Sequence, residues 1–306
     1  MQNLAPIALF VYNRPEHTRR TLKFLQANQL AEDSRLYIFA DAAKTDAEEE
    51  NVRLVNEVVS NIDGFKSVRV VRAKKNLGLA NSIINGVKEL VNTYGKVIVF
   101  EDDLLSSPFT LEYFNEALDK YQEQEKVMHI GAYMYPLAFA DDLPETFFYR
   151  AVHSWGWATW KRAWDKFNPN IDELMARFDE EKKFAFSIEH KMNFWKQMEG
   201  FKVGKNNSWA IRWYASVFLN NGLSLNPTHS LINNIGHDGT GTHSNIEKMY
   251  QVNISQKPIK QFPTVIEENP IAYQMIRNFL AKRKGNIFER LLRFIKQKIK
   301  TLPPSL

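Results

Sequence analysis

The chain has 306 residues, with 40 Lys+Arg against 35 Asp+Glu and a formal net charge of +5. That length supplies a sizeable core in one large domain or two small ones, and 44% hydrophobic with 25% charged residues excludes a disordered chain and a bundle of membrane helices. No apolar run approaches the ~18 residues of a membrane-spanning helix, residues 1–10 lack a cationic start and a small-residue cleavage site, and the absence of cysteine removes disulfides and thiolate metal sites, so the reading is a cytoplasmic protein.

The elements follow in chain order. Residues 6–12 form an apolar strand, followed by Asn13, Arg14 and a helix opened by Pro15 and running to about Asn28. A second strand, 35–40, ends in Asp41. Thr45 and Glu48 read as a capping box ahead of a helix with Val52, Val55, Val58, Val59 and Ile62 on one face. A third strand covers 67–71, and Ile83, Ile84, Val87, Leu90 and Val91 mark the next helix. A fourth strand, 96–100, runs directly into Glu101-Asp102-Asp103, and Ser107-Pro108 opens a helix to about Gln124. Four strand-then-helix units predict a parallel, doubly wound α/β sheet, whose ligands bind beyond the carboxyl ends of the strands. Arg14, Asp41 and the acidic triplet all fall at that edge.

After Val127 the pattern loosens into short strands near 128–133 and 147–150 and aromatic-rich helices. All seven tryptophans lie in this half. The predicted organisation is a nucleotide-binding half over 1–125, an acceptor and catalytic half of the same unit over 126–265, and a basic helical tail over 266–306.

The net charge is local. Residues 281–300 carry eight Lys/Arg against Glu289, so this stretch holds +7 and the rest of the chain sums to −2. A basic stripe on a folded domain, which nucleic-acid binding requires, is therefore not expected. Within the tail, Ile287, Leu291, Ile295 and Ile299 recur every four residues. A basic amphipathic helix of that kind suits an anionic membrane surface, or docking on its own domain.

Three consecutive acids after a buried strand need a cation. If strand alternation continues, Glu101 and Asp103 point to the same side, and carboxylate ligands at an open site suit Mg²⁺ or Mn²⁺ holding a diphosphate. A solvated acidic loop is the plainer alternative. Asp41 can serve a nucleobase or ribose, or simply cap a turn. Arg14 can neutralise phosphate or lie on the surface. Asn76-Leu77-Gly78-Leu79-Ala80-Asn81 reads as a tight turn into a helix. Residues 236–244, rich in Gly, Thr and His, can fold over phosphates with His243 as a contact, or form an ordinary loop. One or two tryptophans can stack on sugar rings; the others are core. No Walker loop, no G-x-G-x-x-G after the first strand, no H-E-x-x-H and no G-x-S-x-G is present.

Taken together, residues 6–14, Asp41, Asn76-Leu77-Gly78-Leu79-Ala80 and 97–103 resemble nucleotide-sugar glycosyltransferases of the GT-A fold. More narrowly, with Trp155-Gly156-Trp157, Ser208-Trp209, Asn234-Ile235-Gly236 and Thr242-His243, the chain is similar to bacterial sugar transferases akin to N-acetylglucosaminyltransferase I. The resemblance spans about residues 5–245. It implies a Rossmann-like, mostly parallel sheet flanked by helices, with an aromatic-rich acceptor half and a C-terminal amphipathic helix. It implies that Arg14, Asp41, Asn76, Asp102, Trp157 and His243 bind a UDP-sugar, and that Asp103, with His243, holds Mn²⁺ or Mg²⁺. Glu101 would stand near the donor sugar, and Trp209 would pack on donor or acceptor sugar.

The family pattern places an Asp base after this tryptophan, and Ala210 stands there. Three readings follow: a substitution that inactivates the enzyme, which is favoured; a base supplied by Glu101 or Asp238; or donor binding without transfer. The function expected is an inverting, metal-dependent transferase that passes an N-acetylhexosamine from UDP to a glycan or lipid-linked glycan of a bacterial surface. It would act in the cytoplasm or on the inner face of the membrane. The alternatives are a non-catalytic sugar-nucleotide or glycan-binding protein and a nucleotidyltransferase. The latter needs a Gly-rich, basic loop that Tyr12-Asn13-Arg14-Pro15-Glu16 does not provide.

Overall fold

The computed structural model describes residues 3–236 and 248–282. Four βα units come first: β1 (Ile7–Val11), α1 (Pro15–Gln26), β2 (Arg35–Ala40), α2 (Glu49–Ser60), β3 (Ser67–Arg72), α3 (Leu79–Tyr94), β4 (Lys96–Glu101), β5 (Leu104–Ser106) and α4 (Thr110–Lys120). The rest comprises β6 (Val127–Gly131), β7 (Thr146–Tyr149), β8 (Trp157–Trp160), α5 (Lys161–Trp164), α6 (Ile171–Met175), α7 (Glu180–Phe186), α8 (Phe194–Lys202), α9 (Trp209–Leu219), β9 (Leu223–Pro227), β10 (Ile232–Asn234) and α10 (Pro270–Lys282).

Among the described residues the main sheet has eight strands in the order β3-β2-β1-β4-β8-β6-β9-β7, and β10 pairs separately with β5. β3, β2, β1 and β4 are parallel. β8 runs antiparallel between β4 and β6, which restores β6 and β9 to the direction of β4. The fold is thus a mixed α/β fold with a large, mostly parallel sheet flanked by helices, as expected. The sheet crosses residue 125 without a break.

Alternation along the strands sorts the core into two faces. Ile7, Leu9, Val11, Ile98 and Phe100 pack with Leu22 and Leu25 of α1 and Phe114 of α4. Ala8, Phe10, Val97 and Val99 pack with Ile83, Val87 and Leu90 of α3 and with Trp209 and Trp213 of α9. Each of the Val, Leu, Ile and Phe side chains contributes roughly 1.5–3 kcal/mol on burial. The Thr45–Glu48 capping box forms, across a 3₁₀ turn that precedes α2.

Two elements differ from expectation. The helix expected to open at Ser107-Pro108 begins at Thr110, after a turn at residues 108–109. Trp157–Trp160, within the stretch read as aromatic-rich helices, is a strand completely buried between β4 and β6. In α10, Ala272, Ile276 and Leu280 join the core, which places that helix on the body of the molecule. The 287/291/295/299 stripe lies outside the described residues. Among the described residues, no helix is long and apolar enough to cross a membrane.

Candidate nucleotide-sugar site at the carboxyl end of the sheet

Because β1 and β4 are parallel neighbours, the loop after β1 and the end of β4 emerge side by side. Arg14 stands just before α1, and the first turn of that helix fixes its backbone: Thr18 donates N–H and Oγ1–H to the Arg14 carbonyl, both at 2.9 Å. Its guanidinium forms a short ion pair with Asp102 and a second pair with Asp103 Oδ2 at 3.0 Å. Thr21 Oγ1 of the same helix donates to the Asp102 carbonyl at 2.8 Å, which ties the acidic turn to α1.

The expectation that Glu101 and Asp103 share a side is corrected here. Glu101 is the last residue of β4, and Asp102-Asp103 form a turn into β5, so alternation stops at Glu101. Both aspartates therefore converge on Arg14. Glu101 continues the row of Val97 and Val99, toward the face covered by α3 and α9. Burial, with the carboxylates of Asp103 and Asp102, pushes the Glu101 carboxyl up to about 8. Burial also raises Asp102, to about 6, with Arg14 pulling the other way and Asp103 adding to the rise. For Arg14 burial disfavours the charge, but Asp102 and Asp103 outweigh it and hold the guanidinium protonated.

The segment leading into residues 237–247 is bolted onto the same turn. Ile235 N–H donates to the Asp103 carbonyl at 2.9 Å, and Gly236 N–H donates to Asn234 Oδ1 at 2.7 Å. A Cβ at Gly236 would lie 2.2 Å from Asp103 Oδ2 and 2.9 Å from Arg14 Nη1, so any side chain here would push the Asp103–Arg14 pair from its present position. His243 and Asp238 lie outside the described residues.

No group of three or more His, Asp or Glu side chains that could hold a metal is gathered among the described residues. Asp103, with Asp102 beside it, nonetheless suits Mg²⁺ or Mn²⁺ of the kind that takes one or two carboxylates and completes its shell with substrate phosphates. The donor set fits such an ion together with a diphosphate, not a protein-only cage.

Asp41 and Asn76 meet each other. Asp41 Oδ1 accepts the N–H groups of Ala42 (2.9 Å) and Leu77 (2.8 Å), and Oδ2 accepts Gly78 N–H (2.8 Å) and Asn76 Nδ2 (3.3 Å). Asn76 also donates to the Ala42 carbonyl at 2.7 Å. Their polar groups hold the β3–α3 loop.

Trp157, expected to bind the UDP-sugar, is placed inside the sheet. It is 0% exposed in β8, stacked on Trp209 at 5.1 Å and on His129 at 5.3 Å, with Trp164 and Trp213 adjacent. Trp209, at 4% exposed, stacks on Trp157. Trp160, Trp164 and Trp213 are buried too. Trp155 and Trp195 alone of the seven are partly accessible. For Trp155, Gly156 beside it is the signal available in the sequence. The φ of Gly156 is +65°, and a Cβ there would lie 2.8 Å from Ile232 Cγ1, so the position requires glycine. The turn it makes separates Trp155 from Trp157.

Ser208 caps α9 as expected, its Oγ accepting Ile211 N–H at 3.3 Å. Ala210 lies in the first turn, partly buried against the Trp157–Trp209 cluster. Two cavities, of about 380 and 570 Å³, lie elsewhere: between α1 and α2, and around Lys96, Trp160 and Arg162.

No protein-family model matches the chain, and no curated protein matches it in sequence. Solved structures are similar in part. The mannosyltransferase PcManGT from Pyrobaculum calidifontis, in complex with GDP-Man and Mn²⁺, is 13% identical over 72% of this chain and 73% of its own, with a TM-score of 0.39. S. aureus TarS 1–349 with UDP-GlcNAc is 11% identical over 42% of this chain, at 0.31, and the match spans 34% of TarS 1–349. A UDP-glucose pyrophosphorylase with UDP-glucose is 12% identical over 73% of this chain and 90% of its own, at 0.34. At these TM-scores the likenesses carry no weight for the function of this chain.

Proposed function

We propose that the chain is a glycosyltransferase that binds a nucleotide diphosphate sugar beyond the carboxyl ends of β1 and β4. A UDP-linked N-acetylhexosamine is the favoured donor, and a glycan or lipid-linked glycan of a bacterial surface the favoured acceptor. The observation that carries this reading is the convergence of Arg14, Asp102, Asp103 and Gly236 at one strand-end turn. Ligands of parallel α/β sheets bind at that edge.

Asp103, with Asp102 and with His243 from the segment beyond Gly236, would hold Mn²⁺ or Mg²⁺. That ion, when bound, supplies positive charge to the departing diphosphate. Arg14 opposes the rise that burial imposes on Asp102 and stands as a cation beside both aspartates. The bare backbone of Gly236 brings its segment against the same turn. Glu101, on the Val97 and Val99 side of β4 by strand alternation, would stand near the donor sugar or on the acceptor side in an inverting transfer. Asp41 and Asn76 would support the nucleotide through the loop they hold.

An inverting step needs a base for the acceptor hydroxyl. Ala210 cannot be that base, and this observation favours a second reading, a protein that binds donor without transferring it.

Calorimetric titration with UDP-GlcNAc, with and without Mn²⁺, tests the site. The wild type should bind in a metal-dependent manner, and Asp103→Asn should bind at least ~10-fold more weakly with that dependence gone. Ala210→Asp should raise transfer by ~10²–10⁴ and leave donor affinity nearly unchanged, since general-base assistance has that size. Unchanged, metal-dependent binding in Asp103→Asn would remove the site assignment. Equal single-turnover rates for the Ala and Asp forms would move the base elsewhere.

A further inference from the structure

Residues 66–75 hold Lys66, Arg69, Arg72, Lys74 and Lys75 and no acid. This +5 segment belongs to a chain that sums to −2 outside its tail. All five side chains are exposed, and none of them forms an ion pair among the described residues. β3 is the terminal strand of the sheet, so the cations line an open edge. Arg72 is steadied by neutral groups, Asn56 Oδ1 at 2.8 Å and Ser60 Oγ at 2.9 Å, and Arg69 lies over the Tyr37 ring at 5.9 Å.

Two large aliphatic side chains follow directly. Leu77 is 37% exposed and Leu79, the first residue of α3, is 48% exposed. They do not hang on a slack loop. The Leu77 and Gly78 N–H groups both bond Asp41, so the turn that carries the leucines is fixed to the end of β2.

We propose that this shoulder, the β3 edge and the β3–α3 turn, is a docking surface for an anionic lipid bilayer. Cations without carboxylate partners can neutralise lipid headgroups, and leucines held beside them can enter the interfacial layer. Lysines on an edge strand also discourage strand-to-strand aggregation. That need explains neither the exposed leucines nor the absence of any acid over ten residues. A soluble polyanion such as nucleic acid would use the charges but leave the leucines without a role. With β3 two strands removed from β1 in the sheet order, the shoulder stands about 14 Å from β4, at the same edge as the acidic turn. The proposal rests on the strip and the leucines and is independent of the donor reading.

The test is sedimentation of the full chain with phosphatidylcholine vesicles, with and without phosphatidylserine. The forms compared are the wild type, Lys66→Gln/Lys74→Gln/Lys75→Gln, and Leu77→Ser/Leu79→Ser. These three lysines have no side-chain hydrogen bonds among the described residues, so an unchanged thermal transition is expected and checks the fold. The wild type should bind only the anionic vesicles and release at high salt. Each removed cation should lower partitioning about fivefold, so the triple variant should fall roughly a hundredfold. The leucine variant should fall severalfold. Wild-type sedimentation of the triple variant would assign membrane binding to residues 283–306 and overturn the proposal. Failure of the wild type to bind anionic vesicles would do the same. Heparin binding as tight as vesicle binding, and indifferent to the leucines, would replace the lipid with a soluble polyanion.

Discussion

Up to β4, the charged side chains Arg14, Asp41, Glu101, Asp102 and Asp103 stand at or just beyond strand ends. From β6 onward, polar side chains are sealed inside the aromatic face of the sheet. His129 is 0% exposed. Its Nε2–H donates to the His153 carbonyl at 3.0 Å, and its Nδ1 accepts Trp213 Nε1–H at 3.1 Å, which fixes the tautomer. The contrast separates chemistry from support. Polar groups in the first half gather beyond the strand ends, where the proposal puts the donor, while His129 in the second half bonds within the wall that α9 and β8 build.

The largest expected effect probes that wall. Trp157 touches Trp164, Trp209, Trp213 and His129. Trp157→Ala should cost about 3–5 kcal/mol, the usual range for emptying a buried aromatic site. Urea unfolding measures it. Donor affinity, taken where the variant is still folded, should stay near wild type because no face of the ring is open. A cost under ~1 kcal/mol would mean that the aromatic face is not the packed wall described.

The two halves should also answer pH with opposite signs. Burial, reinforced by His153, pushes His129 down to about 3, and burial pushes His153 down to about 4, from an ordinary 6.5. Below pH 6.5 the unfolded chain takes up protons that the folded chain refuses. Stability should therefore fall as pH drops from 6.5 toward 3, by at most about 1.4 kcal/mol per unit for each histidine. Glu101, raised to about 8 by burial and its acidic neighbours, works the other way. Its folded form keeps a proton that the unfolded chain loses, so its contribution is present below 4.5 and is lost as pH rises through 8. His129→Gln, which can still accept from Trp213, should flatten the acid limb alone, as urea midpoints across the pH range would record. An unchanged acid limb would show that His129 is not sealed.

How far the sequence is legible follows the same division. The βαβ half can be read because its strands are short runs rich in aliphatic residues and each helix has its own period; the bounds of β2 emerge as expected. The acidic triplet is visible as uncompensated charge after Val97-Ile98-Val99-Phe100. Its geometry is not, since nothing in three consecutive acids marks where a strand gives way to a turn. β8 escapes a reading by pattern because Trp157-Ala158-Thr159-Trp160 is antiparallel and follows no crossover helix, so the βα rhythm that locates the other strands is absent. Asn234 and Gly236 stand out as motif residues, but their contact with Asp103 depends on the β5–β10 pairing, which joins segments about 130 residues apart.

The smallest effect concerns Asp41, which stands with the strand-end charges yet is locked by its hydrogen bonds. Its two carboxylate oxygens accept three backbone N–H groups and the Asn76 amide. Asp41→Asn turns one acceptor into an NH₂ group aimed at donors, leaving one or two N–H groups unpaired. Each such loss costs roughly 1–3 kcal/mol when fully buried. Leu77 is exposed and water can reach its surroundings, so about 1 kcal/mol is expected. If Asp41 acts by holding the loop, thermal unfolding should register that loss while UDP affinity shifts only severalfold. If Asp41 instead bonds the nucleotide directly, the order reverses: affinity should fall by tenfold or more with stability nearly unmoved. Measuring both quantities on one variant therefore decides whether the end of β2 belongs to the site or to its frame.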